Sequence, residues 1–263
     1  MGALPCRTVA GRDELIAFLD ELLDAREWPD FGPNGLQVPG VGEVGVVVSG
    51  VSAHRELFDR AAAAGADLVL CHHGILWDKQ PRVLDLQQKG RLEALFAADL
   101  SLAAYHLPLD AHPEVGNNAL ICEALGLERA EPFAEHGGRT IGWVGRCVGD
   151  GGGIPLRELV ERCGAAFGRA PLVLEGGPET VRRVGVLSGG GASYFAEAAA
   201  LGVDAFITGE PSEPAMAEAR ERGVTFLAGG HWATETFGVR RLGELLADRF
   251  GVEHRFEAVP NPV

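Results

Sequence analysis

Three segments of the chain carry residue types that hold divalent cations. The apolar run "ADLVLCHHGILWDK" (66–79) ends on two adjacent histidines, His72 and His73, followed at once by Gly74. The segment "GGHWATE" (229–235) sets His231 and Glu235 four residues apart, so one opening helical turn can bring both onto one side. Between them, "AYHLPLDAHPE" (104–114) offers Asp110 near His106, His112 and Glu114. Three imidazoles and two carboxylates form a donor set suited to zinc, iron, nickel or manganese. Two histidines and a carboxylate per ion, with one carboxylate shared, would hold a pair of ions about 3.5–4 Å apart, as two-metal hydrolases do. Open positions on such ions carry water whose pKa falls to about 7 on a catalytic zinc. Each residue also has a plainer reading. A histidine can cap a strand, Thr234-Glu235 can be a helix-start signal, and Asp110 can be a loop carboxylate.

These residues need strand ends to position them. Short β-branched runs at 44–50, 67–71, 100–106, 140–147, 171–175, 182–189, 204–209 and 224–229 alternate with helical patterns. The helical patterns span 12–25, 52–64, 90–98, 116–125, 155–167, 191–201, 212–222 and 234–249. Such alternation predicts α/β architecture with mainly parallel, buried strands, whose functional groups gather beyond the strands' carboxyl ends. Inside a strand, adjacent side chains point to opposite faces. Where the strand ends, Gly74 lets the chain turn so that both rings face one pocket.

The chain also echoes itself. "VVVSGVSAHRELFDRAAAAGADLVLCHH" (46–73) parallels "VGVLSGGGASYFAEAAALGVDAFITGE" (184–210), and "LSLAAYHLPLDA" (100–111) parallels "VTFLAGGHWATE" (224–235). His106 thereby matches His231, and Glu210 falls near the counterpart of His73. Both are candidate supporting or proton-transfer groups, the catalytic candidates of the chain, with a structural hydrogen-bonding role open to each. The expected fold is α/β, with two similar domains related by internal duplication, three-layered, with mainly parallel or mixed sheets. The first domain would comprise 1–127 plus 231–263 and the second 128–230. The Gly-rich stretches at 149–155 and 175–179 mark loops.

Bulk properties narrow the function. The chain has 263 residues, 23 Lys plus Arg against 37 Asp plus Glu, and a net charge of −14. That balance argues against a general nucleic-acid partner. The arginines at 181–183 and 239–241 are the candidates for a local basic patch. Five scattered cysteines, Cys6, Cys71, Cys122, Cys147 and Cys163, form no C-x-x-C pair and read as reduced thiols of a cytoplasmic protein. No run approaches about 18 apolar residues, so no membrane span is expected; acidic residues interrupt the first apolar pattern, so no signal peptide is expected either. Neither a P-loop nor G-x-G-x-x-G occurs. "SGGGAS" (188–193) could cradle a phosphate at a helix start, or be a tight strand-to-helix turn. Asn34 and Gln37 could line the pocket, with a turn role for "GPNG" the simpler account. Cys71 reads as a buried, inert thiol, and Trp28, Trp77 and Trp143 as core or interface residues. His54, His112, His136 and His254 read as surface or loop positions.

At these residues the sequence resembles the NGG-interacting-factor (number three) family, whose members carry the name GTP cyclohydrolase 1 type 2 homologue. "DFGPNGLQVPG" (30–40), "LVLCHHGILW", "YHLPLDAHPEVGNNALICEALGL", "VLSGGGASYFAEAAALGVDAFITGE" and "GGHWATETFGVRRLGELL" are similar to its motifs, in order, over nearly the whole chain. Trp232 departs from the pattern, at a position where a smaller or polar residue is common. The resemblance implies a dinuclear centre with two divalent ions per subunit. His73 and Asp110 would serve one ion, His72 and His231 the other, and Glu235 would bridge both. It also implies a homohexamer, a trimer of dimers arranged as a ring, and no inserted middle domain in a chain of this length. Two functions are consistent with it. One is a metal-dependent hydrolase acting on a small heterocycle, nucleotide or phosphoester. The other is a non-catalytic metal-binding ring scaffold or interaction factor.

Overall fold

The structure, a computed structural model, describes residues 8–148 and 152–263. Cys6 and the first part of the Gly-rich stretch at 149–155 lie outside the described residues. The chain divides into two compact units, one of residues 1–109 and 238–259, the other of residues 110–237 and 260–263. Each is an α/β unit built on one mixed sheet.

The first unit holds a five-stranded sheet in the order Glu253–Phe256, Val46–Ser52, Leu68–His73, Ser101–Ala104, Gly35–Val38. The first four strands run parallel and Gly35–Val38 is antiparallel. Val46, Val48, Val69, Cys71 and Leu102 pack with Leu57, Phe58 and Ala61 of the helix Arg55–Ala63 and with Leu95 of the helix Leu86–Ala97. The alternate residues Val47, Leu68, Leu70 and Ala103 are equally buried. Both faces of the parallel strands are therefore covered, and the sequence shows them as continuous apolar runs.

The second unit holds a six-stranded sheet in the order Leu172–Leu174, Thr225–Ala228, Ala205–Thr208, Arg183–Val186, Arg139–Cys147, Leu127–His136. The strands Arg183–Val186, Ala205–Thr208 and Thr225–Ala228 are parallel, and the other pairings are antiparallel. The hairpin Leu127–His136/Arg139–Cys147 turns on Gly137 and Gly138, both with positive φ (58° and 84°), as a two-residue turn that follows the strand twist requires. One face of this sheet packs Val184, Val186, Ile207 and Leu227 with Leu159, Cys163 and Phe167. The other stacks Phe133, Phe195, Phe206 and Phe226 with centroids 5.1–6.3 Å apart. A Cβ at Gly185 would stand 3.2 Å from Phe206, so the missing side chain makes room for the rings.

The two units repeat one device. Asp67 Oδ2 accepts the backbone N–H groups of Gly45 and Val46, and Asp204 Oδ2 accepts those of Arg182 and Arg183. In each case the same residue's carbonyl takes the N–H that opens the next strand, Ser101 or Thr225. The Gly-x-Asp punctuation of the sequence is thus a backbone clamp that ties the starts of three parallel strands.

Besides the two-residue strands Ala10–Gly11, Ile154–Pro155 and Thr180–Val181, five elements differ from expectation. The strands Gly35–Val38, Leu127–His136 and Glu253–Phe256 have no counterpart among the expected spans. Each is a sheet edge, where polar residues and a proline such as Pro132 are tolerated because one side of the backbone need not pair. His254 therefore lies in a strand rather than a loop, hydrogen-bonded to Ser49 Oγ at 2.8 Å. The Pro-containing turn before Asp110 is a short helix, Leu107–Ala111; a proline in the first turn removes no intrahelical bond. The expected single helix from 234 is two, His231–Thr234 and Thr236–Phe250, broken at Glu235. Among the described residues, no helix is long and apolar enough to cross a membrane.

Candidate metal-binding residues

In the first unit the strand Leu68–His73 delivers both histidines. His72 is fully buried and its Nδ1 lies 2.9 Å from the carbonyl of Tyr105. A carbonyl only accepts, so Nδ1 carries the proton and Nε2 keeps its lone pair. His73 Nδ1 lies 3.1 Å from Ser52 Oγ. The two rings are 4.7 Å apart between centroids, and His106 stands 5.1 Å from His72 and 5.5 Å from His73. One ring nitrogen from each of the three lies within 4.8 Å of the others. Gly74 is required by a close approach rather than a special backbone angle. A Cβ there would run into the Gln37 side chain, which accepts Ile75 N–H at 2.9 Å and donates to the Pro33 carbonyl at 2.9 Å. Gln37 thus fixes the turn after His73. Beside the rings is a cavity of about 10 Å³, with Asn34, Gln37, Gly74 and Trp77 in its lining, room for about one water. Trp77 stands edge-on to His106 at 5.2 Å, so it belongs to this cluster and not to the core.

His106 is held by residues that composition alone did not single out. Its Nδ1 lies 2.7 Å from Asp30 Oδ1, and its backbone N–H donates to Asn34 Oδ1 at 2.7 Å. Burial raises the Asp30 carboxyl, but the His106 hydrogen bond and charge outweigh it. With the donors Asn34 and Phe31, they hold it below the usual carboxylate range. Asn34 is therefore a clamp on the end of the Ser101–Ala104 strand as well as part of a turn. A weak signal is present in the sequence: "DFGPNG" (30–35) sets an Asp and an Asn four residues apart.

In the second unit His231 sits between two carboxylates. Its Nδ1 is 3.1 Å from Glu210 Oε1 and its Nε2 is 3.1 Å from Glu235 Oε1. Burial lowers the His231 pKa, but both carboxylates raise it, to about 9 without a metal. A cation binding there would displace that proton. Glu235 is 3% exposed, and Gly189, with φ +61°, lies against it: any Cβ at 189 would occupy the place of the carboxylate. Thr234 is no cap. Its hydroxyl donates toward the Gly230 and His231 carbonyls and accepts Gly189 N–H. Asp110 is 6% exposed, which sets aside its reading as a loop carboxylate. Its Oδ1 accepts from Asn117 Nδ2 at 2.8 Å and Ser188 Oγ at 3.0 Å.

The phosphate-cradle reading of 188–193 gives way to the tight turn. Ser188 N–H donates to Asn118 Oδ1, Gly189 N–H to Thr234 and Gly191 N–H to Thr208, so these donors are committed within the unit. Cys71, Cys122, Cys147 and Cys163 are free and buried. Burial pushes the Cys122 and Cys163 thiols up to about 12 and Cys71 higher still, which makes a thiolate ligand from Cys71 unfavourable. Trp232 packs against the core of the second unit.

Residues 10–262 match the model of the Duf34/NIF3 (NGG1p interacting factor 3) family. A protein of Pseudomonas aeruginosa named GTP cyclohydrolase 1 type 2 homolog is 43% identical over 94% of this chain and 97% of its own. One of the same name from Escherichia coli K12 is 42% identical over 95% and 98%. Among solved structures, protein ybgI, of unknown function, superposes with a TM-score of 0.90 at 40% identity, covering 97% of this chain and all of the other. TTHA1606 from Thermus thermophilus superposes with a TM-score of 0.83 at 36% identity, with the same coverage. With the motifs at 30–40, 68–77, 105–127, 186–210 and 229–246 all inside the matched span, the chain belongs to the Duf34/NIF3 family.

Proposed function

We propose that this chain is a dinuclear-metal-binding protein that hydrolyses a small heterocycle or nucleotide, with His72, His73, Asp110, His231 and Glu235 holding two divalent cations per subunit. The observation that carries this reading is the fixed tautomer of fully buried His72, whose Nδ1–H is committed to a carbonyl beside two further imidazoles. Ligating histidines are characteristically oriented through their other nitrogen. The donor set fits in chemistry too: imidazoles in one unit, and a histidine flanked by two carboxylates in the other, suit zinc, iron, manganese or nickel. A bound cation of this kind supplies Lewis acidity and lowers the pKa of its water to about 7. The chain's own part is to keep the imidazoles oriented, through Tyr105, Ser52 and Asp30, and to hold carboxylates at His231. Glu210 would accept or return a proton at His231 Nδ1.

The name of the relatives points to a GTP-like substrate. Opening a guanine imidazole ring adds water at C8 and releases formate after a second hydrolysis. The experiment is elemental analysis of freshly purified protein, then a screen of GTP, related purines and phosphoesters with the metal-replete form. Turnover lost with chelator and restored by metal is expected; a fully loaded protein inert on all of them would overturn the hydrolase reading.

A second reading, a metal-bearing scaffold, is favoured by one observation. Val83, Leu84 and Leu86 are 77%, 69% and 86% exposed within four residues, and grouped exposed apolar residues mark contact surfaces. We assign that surface to a homohexamer, a trimer of dimers. Light scattering should give six times the 27.8 kDa chain mass; a monomer would refute it. We also infer that the two units descend from an internal duplication, supported by the matching clamps at Asp67 and Asp204.

A further inference from the structure

We propose that Asp30 is a positioning residue that holds His106 as a third nitrogen donor beside His72 and His73. This rests on the metal-binding reading above and adds His106 to its donors, with Asp30 as the residue that orients it. Asp30 is buried, its side chain 2% exposed, and its two oxygens take four donors. Oδ1 accepts Phe31 N–H at 2.7 Å and His106 Nδ1–H at 2.7 Å. Oδ2 accepts Asn34 Nδ2 and Leu107 N–H, both at 2.9 Å. A carboxylate so saturated with donors remains an acceptor, which makes His106 Nδ1 the protonated nitrogen and leaves the lone pair on Nε2. Asn34 completes the fixture by accepting the His106 backbone N–H. Ring and backbone at 106 are thus held from one loop, 30–34, more than 70 residues away in sequence.

The second unit repeats this arrangement. His231 also follows the third of three parallel strands, and its Nδ1 also meets a carboxylate, Glu210, at 3.1 Å. A histidine at the same strand position is thus oriented through the same nitrogen in each unit. Geometry alone would permit a purely structural Asp30, so the test separates the two roles.

Metal-free protein is titrated with Co²⁺ alone, as wild type, Asp30→Asn, His106→Gln and the double variant. Visible spectra are recorded for each, and the tautomer of His106 is read from long-range ¹H–¹⁵N spectra. We expect Nδ1–H at His106 in the wild type. We expect Asp30→Asn to weaken Co²⁺ binding by about 10- to 100-fold, the range for residues that orient ligands, with a changed d–d spectrum. In the His106→Gln background the same substitution should change neither. An Nε2–H tautomer in the wild type would overturn the proposal without any variant, should Asp30→Asn fail to fold. So would an unchanged affinity in Asp30→Asn, or an equal loss with and without His106. Wild type that binds no Co²⁺ would instead overturn the metal reading itself.

Discussion

Both units place a histidine after their third parallel strand and bind its Nδ1 to a carboxylate, yet they differ one strand earlier. In the first unit the Leu68–His73 strand ends on two imidazoles; in the second, the Ala205–Thr208 strand is followed by Gly209 and Glu210. The first cluster is therefore built from imidazole nitrogens, and Asp30 has both oxygens occupied by four donors. The second unit sets the carboxylates of Glu210 and Glu235 against His231, and separately buries Asp110 against Asn117 and Ser188. The two units thus supply two kinds of chemistry: nitrogen donors and their orientation in one, carboxylates in the other. Charge in a low-dielectric setting is the stronger handle on a cation, so the two clusters should respond differently to substitution.

The largest effect is expected at Glu235. Glu235→Gln removes a buried charge and should weaken divalent-metal binding by more than about 100-fold, beyond what orienting residues contribute. His73→Gln should weaken it less. Calorimetric titration of both variants checks the order, and the reverse order would break the proposed division of labour.

Next comes the repeated clamp. Asp67→Ala and Asp204→Ala each leave two backbone N–H groups without their acceptor. Each should cost about 1–3 kcal/mol of stability, read from denaturant midpoints. Comparable losses would sharpen the comparison, and a loss in one unit only would end it. Smaller still, Glu210→Gln should weaken metal binding by about tenfold, roughly 1.4 kcal/mol, because Glu210 is more open than Glu235 (side chains 37% and 4% exposed). Smallest is the exposed pair Arg55–Asp59, 2.8 Å apart. Arg55→Ala should shift stability by about 1 kcal/mol or less and leave metal content unchanged.

The sequence made the parallel strands legible because their β-branched runs are buried on both faces. Val46–Ser52, Leu68–His73 and Ala205–Thr208 all lie close to their expected spans. The edge strand Leu127–His136 is hidden by Pro132 and its three glutamates, since an edge need satisfy only one side of its backbone. The five candidate ligands stand out in the sequence by residue type, His72 and His73 at the end of a strand and Asp110 and Glu235 in or beside short helices. What holds them, and what holds His106, does not. Asp30 acts on His106 from 76 residues away, and Asn117 and Ser188 reach Asp110 across 7 and 78 residues. No local period records such contacts. Gln37 reads from the sequence as a pocket residue, but its hold on the turn at Gly74 depends on a close approach between residues 37 positions apart.

The most direct test of the account is metal stoichiometry of protein purified without chelator, by inductively coupled plasma mass spectrometry against chain concentration. Two divalent transition-metal ions per chain, reduced to less than one in Glu235→Gln, is the predicted result. A folded wild-type protein that carries no such metal and takes up none on dialysis against zinc, iron, manganese or nickel would contradict it.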